Sequence, residues 1–470
     1  MSDPVSIPNS IRQKMVVEAI SAPVIRSFEH HYRQLASGEQ GMVPDSDLDP
    51  VETLQHLDQV NEETGRIRRA AASMVVIKLN GGLGTGMGLD RAKSLLQVKD
   101  GFTFLDLIAR QVLRLRETTH PKLRFLLMNS FSTRQDTLNF LRHYPELGEE
   151  KTLDFIQSKV PKIDIRTMEP VQWPEQPDLE WCPPGHGDLF LSFFATGLLD
   201  GLIADGVEYA FISNSDNLGA YPDASIPVFM QSRGLDFLME VTRRTEADRK
   251  GGHLAIRKRD GRMILRESSQ CPPEDRDSFQ DISKHRYFNT NNIWIRLDAL
   301  RAAVSEQGGY LALPLICNKK RVDVSRPDSP EVYQLETAMG AAIEVFERAD
   351  ALEVPRSRFA PVKKTDDLMA LRSDAYVLTD DFQVQLAPQR GGVPPEIRLD
   401  PAAYHMIRDF DRLVRVPPSL ISCESLEIQG SVAFEKDVSI SGRVKLLNNT
   451  GEMVTVRDLA FEDGEYHLSV

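Results

Sequence analysis

The sequence predicts an α/β protein with a mainly parallel sheet, followed by a C-terminal parallel β-helix, on three observations. From Met74 onward, short apolar runs alternate with helix-like stretches. Met74–Leu79 (MVVIKL), Arg124–Met128 (RFLLM), Tyr209–Ile212 (YAFI) and Phe237–Val241 (FLMEV) have the length and the β-branched and aromatic content of buried strands. A loop with five glycines follows the first run directly. Near the C-terminus, apolar residues recur every six positions. Strand, glycine loop, helix and strand in succession is the order of a parallel α/β unit, and such sheets bind ligands beyond the carboxyl ends of their strands.

Residues 1–60 are expected to be helical and peripheral, because Ile11, Val16, Val17, Ile20 and Val24 recur at roughly helical spacing between charged residues. A second helix is expected from Phe104 to about Arg116. Phe104, Leu107, Ile108, Val112 and Leu115 fall on one face, and Thr103 with Asp106 makes a capping-box start. Residues 61–384 form the expected main domain, and Ala387–Pro395 (APQRGGVPP) marks the boundary to a last domain over 385–470. There Leu426, Val432, Val438 and Val444 form one six-residue series, and Ile428, Phe434, Ile440 and Leu446 a second. Six is a multiple of two, so an ordinary meander of strands gives the same period. Two interleaved apolar positions per hexad, with Gly430 and Gly442, favour the coils of a parallel β-helix.

Composition narrows the function. The chain has 470 residues, 41% hydrophobic and 27% charged, the make-up of a soluble globular protein. Its 56 basic and 69 acidic side chains leave a formal net charge of −13, which argues against nucleic acid or an anionic membrane as partner and leaves room for a local basic pocket. The four cysteines, Cys182, Cys271, Cys317 and Cys423, are far apart, so neither a zinc site nor a disulfide framework is expected. No apolar run approaches a membrane span, and the N-terminal MSDPVSIPNS lacks the basic start and apolar stretch of a signal peptide. A cytoplasmic location is expected.

The segment 79-LNGGLGTGMGLDRAKSLL-96 carries the most chemistry. Gly81, Gly82, Gly84, Gly86 and Gly88 remove side chains, so backbone N–H groups can approach an anion closely, and Lys93 can reach phosphate oxygens. A flexible turn beside a surface lysine is the plainer alternative, but five glycines within eight residues carry an entropic cost that a simple turn does not require. The dinucleotide fingerprint Gly-x-Gly-x-x-Gly fails: from Gly82 its last position is Met87 and from Gly84 it is Leu89, which counts against a nicotinamide dehydrogenase. A Walker A loop fails too, since Ala92 rather than glycine precedes Lys93. Asp216, after the run Tyr209–Ile212, suits Mg²⁺, which takes one carboxylate plus substrate phosphates and water; within Asn-Ser-Asp-Asn it is equally a turn residue.

LNGGLGTGMG followed by KSLL resembles the signature loop of the UDP-glucose pyrophosphorylase family. The likeness continues, in family order, through 183-PPGHGD-188, 214-NSDNLGA-220, 241-VTRRTEADRKGGHLA-255, 288-FNTNNIWI-295, 335-LETAMGAAIEVF-346 and 354-VPRSRFAPVKKTDDL-368. Arg91-Ala92 stands where the family carries Gly-Pro, and Asn318-Lys319-Lys320 where Asn-Pro-Lys is typical. The resemblance implies a Rossmann-like nucleotidyltransferase domain, a C-terminal left-handed parallel β-helix domain, and Mg²⁺-assisted transfer of the uridylyl group of UTP to glucose 1-phosphate. It assigns Lys93 to the triphosphate, Lys363 to the transferred phosphate and Asp216 to the metal. Leu79, Gly81, Gly82, Gln157 and Gly185 surround the uridine with Met128 nearby, and Asn214, Glu267 and Asn291 hold the sugar. Gln157 has both an amide donor and an acceptor for the uracil edge, and His186 can donate to a phosphate as either tautomer. Lys250, before Gly251 and Gly252, adds charge near the sugar phosphate. Taken singly, these are ordinary polar residues. An open coil edge at the end of the hexad stack would serve as a surface for homo-oligomerisation.

A UDP-N-acetylhexosamine pyrophosphorylase shares this loop and chemistry but must accommodate an acetamido group; VPRSRFAPVKKTDDL with NTNNIWI is closer to the glucose branch. A non-catalytic sugar-nucleotide sensor is the alternative of another class. Retention of Lys93, Asp216 and Lys363 together argues against it.

Overall fold

The computed structural model describes residues 7–39, 41–60 and 62–469. An unbroken run of large apolar residues must be covered on both faces, and such a run forms the middle of an eleven-stranded sheet. Its main path contains β1 (Gln55–His56), β2 (Met74–Asn80), β3 (Arg124–Asn129), β4 (Asp154–Ile156), β5 (Tyr209–Asn214), β6 (Phe237–Arg243), β7 (Tyr287–Arg296) and β8 (Ala349–Glu353). The spatial order is β1-β8-β6-β7-β5-β2-β3-β4. Only β7 runs antiparallel to its neighbours on this path, β5 and β6; the other pairs are parallel. The four strands expected from the sequence are β2, β3, β5 and β6. Along β2, Val75, Ile77 and Leu79 pack with Leu189, Phe190 and Phe193 on one face, while Met74 and Val76 pack with Ile108 and Val112 on the other. Helices therefore cover both faces of the sheet, as a parallel arrangement requires.

Of residues 1–60, expected to be helical and peripheral, 9–17 and 22–36 are α-helical. Residues 41–60 instead contribute two short strands, Leu48–Pro50 and β1, to the large sheet, because their backbone finds partners at its edges. The apolar face of the helical part also differs from the predicted one. That part forms two helices, α1 (Asn9–Val17) and α2 (Ala22–Ala36). Ile11, Met15, Val24, Ile25, Phe28, Tyr32 and Leu35 are buried, whereas Val16 and Val17 are 59% and 83% exposed. The first helix ends at Val17 and the second starts at Ala22, so one helical period cannot run through both. Residues 1–6 of the N-terminal MSDPVSIPNS, where no signal peptide is expected, lie outside the described residues. Among the described residues no helix is long and apolar enough to cross a membrane.

The helix α3 (Phe104–Thr118) begins as predicted. Thr103 Oγ1 accepts from the Asp106 N–H at 3.0 Å, and the Asp106 carboxylate accepts from the Thr103 N–H at 2.8 Å. It is buried on two sides rather than one. Leu105, Ile108, Ala109 and Val112 face the sheet, while Phe104 and Leu107 join the core of the C-terminal region.

That region contains β9 (Ser419–Gln429), β10 (Val432–Phe434), β11 (Val438–Leu447), β12 (Val454–Val456), β13 (Leu459–Phe461) and β14 (Gly464–His467). All its pairings are parallel: Leu426 lies beside Val444, Ile428 beside Leu446, Phe434 beside Val456 and Ile440 beside Phe461. A meander would pair antiparallel, so the hexads belong to stacked parallel strands. The eight hexad residues are all buried. Their core also contains Met87, Leu89, Leu96 and Val98, so the middle and the C-terminal end of the glycine-loop segment share a core with the C-terminal strands, while Leu79 at its start packs in the sheet core. Phe434→Ala should cost about 3–5 kcal/mol of stability through the cavity it leaves, read as a lower midpoint of urea unfolding.

Candidate active site

Parallel pairing brings the carboxyl ends of four strands level. Leu79 on β2 pairs with Asn214 on β5 and with Met128 on β3, and the chain leaving β4 continues into Gln157, whose N–H donates to Asn129 O at 2.7 Å. The glycine loop leaves β2 at this edge. A Cβ on Gly81 would stand 2.9 Å from Gln157 Oε1, whereas one on Gly82 would meet nothing within 4 Å. Gly84 and Gly88, at φ of +65° and +74°, bracket a short 3₁₀ turn over Thr85–Met87. The Lys93 N–H then donates to Gly82 O at 3.0 Å, folding the loop back on itself. This carries Lys93 to the end of β5, where its Nζ lies 2.6 Å from Asp216 Oδ2.

A second wall comes from 183–188. Gln157 Nε2 donates to Gly185 O at 2.8 Å, which commits one amide proton and leaves Oε1 turned towards Gly81. Gly185 has φ of +80°, and a Cβ there would stand 2.7 Å from Thr337 N. His186 is partly buried, and its Nδ1 accepts from the Met339 N–H at 3.0 Å. Burial pushes the imidazole down to about 4. The ring is therefore neutral at neutral pH with its proton on Nε2, which narrows the two tautomers expected from the sequence to one.

The remaining residues come from the other half of the sheet. Glu267 follows the hairpin His253–Arg257/Arg262–Arg266, and its N–H donates to Gln270 Oε1 at 2.8 Å. Burial raises the Glu267 carboxyl, and the positive charge of Lys363 opposes that rise. Lys363 is exposed just before the helix Thr365–Arg372; its N–H donates to Asp367 Oδ2 at 2.7 Å. Asn291 sits where the β6–β7 register shifts, with φ of +57°, and exchanges two 2.9 Å hydrogen bonds with Asn289. Lys250 is exposed, and among the described residues no hydrogen bond or ion pair draws it to the others.

Charged residues inside the strands were missed by the sequence reading. Lys78 on β2 is buried, its Nζ donating to Ser213 Oγ at 2.8 Å and Ala220 O at 2.7 Å, and burial pushes it down to about 7. Glu240 on β6 is fully buried and accepts from Arg358, Asn292 and Trp294. The signal was present: a charge inside MVVIKL or FLMEV requires buried partners. Among the described residues no cluster of three or more His, Cys, Asp or Glu could hold a metal. A cavity of about 1430 Å³ lies elsewhere, against α2 and the hairpin, and none of the candidate residues lines it.

A mainly parallel sheet that delivers a glycine loop, a lysine and a carboxylate to one edge defines a nucleotide-dependent transferase of the α/β class. Residues 25–441 match the family described as UTP--glucose-1-phosphate uridylyltransferase, and the chain belongs to that family. It is 35% identical over 456 residues to the probable UTP--glucose-1-phosphate uridylyltransferase of Schizosaccharomyces pombe, covering 96% of this chain and 88% of that one. To the UTP--glucose-1-phosphate uridylyltransferase of Solanum tuberosum it is 39% identical over 404 residues, covering 86% and 82%. Among solved structures it resembles a variant UDP-glucose pyrophosphorylase from Leishmania major in complex with UDP-glucose, with a TM-score of 0.93, 45% identity, and 98% and 100% of the two chains covered.

The depressed His186 gives a signed pH prediction. Because its folded value of about 4 lies below the unfolded value of about 6.5, its contribution to stability is complete above pH 6.5 and declines as pH falls towards 4. His186→Asn keeps an acceptor for the Met339 N–H but does not titrate. The variant should therefore lose less stability than the wild type between pH 7 and pH 5, measured as urea midpoints at both values.

Proposed function

We propose that the protein forms UDP-glucose and pyrophosphate from UTP and glucose 1-phosphate at the carboxyl-end groove of the sheet. One observation carries the placement: the ammonium of Lys93 and the carboxylate of Asp216 meet at 2.6 Å beside the glycine loop. A phosphate oxygen of glucose 1-phosphate attacks the α-phosphorus of UTP in line, and pyrophosphate leaves. The attacking group, with a second pKa of about 6, is already largely ionised, so no general base is needed. Alignment and neutralisation of charge do the work.

Lys93 takes the triphosphate, and Lys363, arriving from the opposite loop, takes the transferred phosphate. The single carboxylate of Asp216 fits Mg²⁺, an ion that completes its shell with substrate phosphates and water. When bound, that ion neutralises phosphate charge; Lys93 must then exchange Asp216 for a phosphate oxygen. His186 donates through Nε2–H, since its Nδ1 is already an acceptor. Gln157 Oε1 accepts from the uracil N3–H, with the backbone of Gly81, Gly82 and Gly185 closing on the ring and Leu79 and Met128 beneath it. Asn214, Glu267 and Asn291 hold the sugar hydroxyls, and Lys250 adds charge from the solvent side. The reading divides the chain into 1–60, 61–384 and 385–470, takes the 61–384 part as Rossmann-like and the C-terminal stack as a left-handed β-helix, and makes its open edge at Gly464–His467 a surface for homo-oligomers.

Two measurements test this. Asp216→Asn should abolish pyrophosphate release at ordinary Mg²⁺ with little change in thermal midpoint; near-normal rates would remove Asp216 from the metal. The wild type should prefer UTP to CTP, because cytosine presents an acceptor at N3 to the Gln157 oxygen, a mismatch of about 1–3 kcal/mol. Gln157→Ala should narrow that ratio and leave the preference for glucose 1-phosphate over N-acetylglucosamine 1-phosphate unaltered. Comparable rates with both sugar phosphates would overturn the glucose assignment.

A further inference from the structure

Asp216 and Lys363 lie on different loops, 147 positions apart in the chain, and the reaction needs them at a fixed separation. The two loops are joined through one side chain between them. Asn217, the residue after Asp216, is buried, and its amide uses its full hydrogen-bonding capacity. Oδ1 accepts from the Ala360 N–H at 2.9 Å and the Gly219 N–H at 3.2 Å. Nδ2 donates to Arg358 O at 3.2 Å and to Asn292 Oδ1 at 3.3 Å. The backbones meet as well: Asn217 bridges Pro361, and the Val362 N–H donates to Asp216 O at 3.2 Å. The approach is close enough that a Cβ on Gly219 would stand 2.8 Å from the Arg358 carbonyl carbon.

The clasp is anchored in the sheet. Glu240, fully buried on β6, accepts from Arg358 Nε at 2.8 Å, Asn292 Nδ2 at 3.0 Å and Trp294 Nε1 at 2.8 Å. Arg358 thus presents its guanidinium to Glu240 and its carbonyl to Asn217, and Asn292 bonds to both Glu240 and Asn217.

We infer that Asn217 is a positioning residue for the uridylyl transfer, clasping the Asp216 loop to the Lys363 loop and registering both against the buried Glu240–Arg358 pair. This rests on the roles given to Asp216 and Lys363 above. An amide is required: alanine leaves the Ala360 and Gly219 N–H groups and Asn292 Oδ1 without partners, and an ionised carboxylate would place a second acceptor against Arg358 O and Asn292 Oδ1.

The test pairs kinetics with hydrogen exchange on the full chain. Asn217→Ala should lower kcat at saturating substrates by about tenfold or more with the KM for UTP changed less than about threefold, because the alignment of reacting groups is lost rather than nucleotide contacts. Amide exchange over 357–364 should quicken in the same variant without substrate. Gly219→Ala, which pushes the loops apart and leaves the Asn217 side chain intact, should give the same pair of effects, and decides the matter if Asn217→Ala fails to fold. Trp294→Phe removes one bond from Glu240 without touching either loop; it should lower the thermal midpoint and keep the wild-type kcat. A folded Asn217→Ala or Gly219→Ala with wild-type kcat overturns the inference, as does a kcat loss in Trp294→Phe matching theirs. Wild-type protein that releases no pyrophosphate would instead overturn the uridylyltransferase reading, while unchanged exchange over 357–364 in Asn217→Ala would still remove the clasp.

Discussion

A carboxylate with no exposed surface must have its charge and its lone pairs met inside the protein, or its burial costs several kcal/mol. Glu240 imposes that condition in the middle of β6, and the structure answers it with Arg358, Asn292 and Trp294. Arg358 belongs to the segment that leads into Lys363, and Asn292 to the strand that carries Asn291. Satisfying one buried acid therefore draws the segment before Lys363 and the strand of Asn291 together at the sheet. Removing a partner would leave an unpaired buried charge, a far larger penalty than losing a surface ion pair.

The glycine loop depends on a different constraint. Its backbone is permissive by composition, so something outside it must hold it in shape. The hydrogen bond from Lys93 N–H to Gly82 O closes it, and Met87, Leu89 and Leu96 anchor it in the core shared with Phe410, Leu426 and Phe434. The C-terminal strands are in this sense structural support for the glycine loop, although none of the candidate residues lies on them. Helix α3 mediates, with the sheet on one side and the C-terminal core on the other.

Lysine and histidine illustrate how burial sets chemical state. Lys78, pushed down to about 7, is tied to Ser213 and Ala220 inside the sheet, whereas Lys93 is ion-paired with Asp216 and Lys363 is exposed. His186 is neutral because it is desolvated, and it is oriented because Met339 N–H occupies Nδ1. Neither property could be read from Pro-Gly-His-Gly-Asp.

Local chemistry made much of the protein legible from its residues alone. Unbroken apolar runs marked β2, β3, β5 and β6, Thr103 and Asp106 marked the start of α3, and five closely spaced glycines marked the loop that leaves β2, because each of these signals acts over a few neighbouring positions. Residues on distant segments left only faint signs. A six-residue period is compatible with either strand direction, and only the pairing of Leu426 with Val444 made it parallel. Val16 and Val17 looked like a buried stripe until the break before α2 turned them outwards. The amino acids by themselves determined which segments could be strands, helices and phosphate loops, since those preferences are local. The tertiary structure decided which of them meet: Lys93 with Asp216, Gln157 with Gly185, and Asn217 with Ala360 and Arg358. Such contacts join positions tens to hundreds of residues apart, and their hydrogen bonds exist only once the sheet has brought the strand ends level.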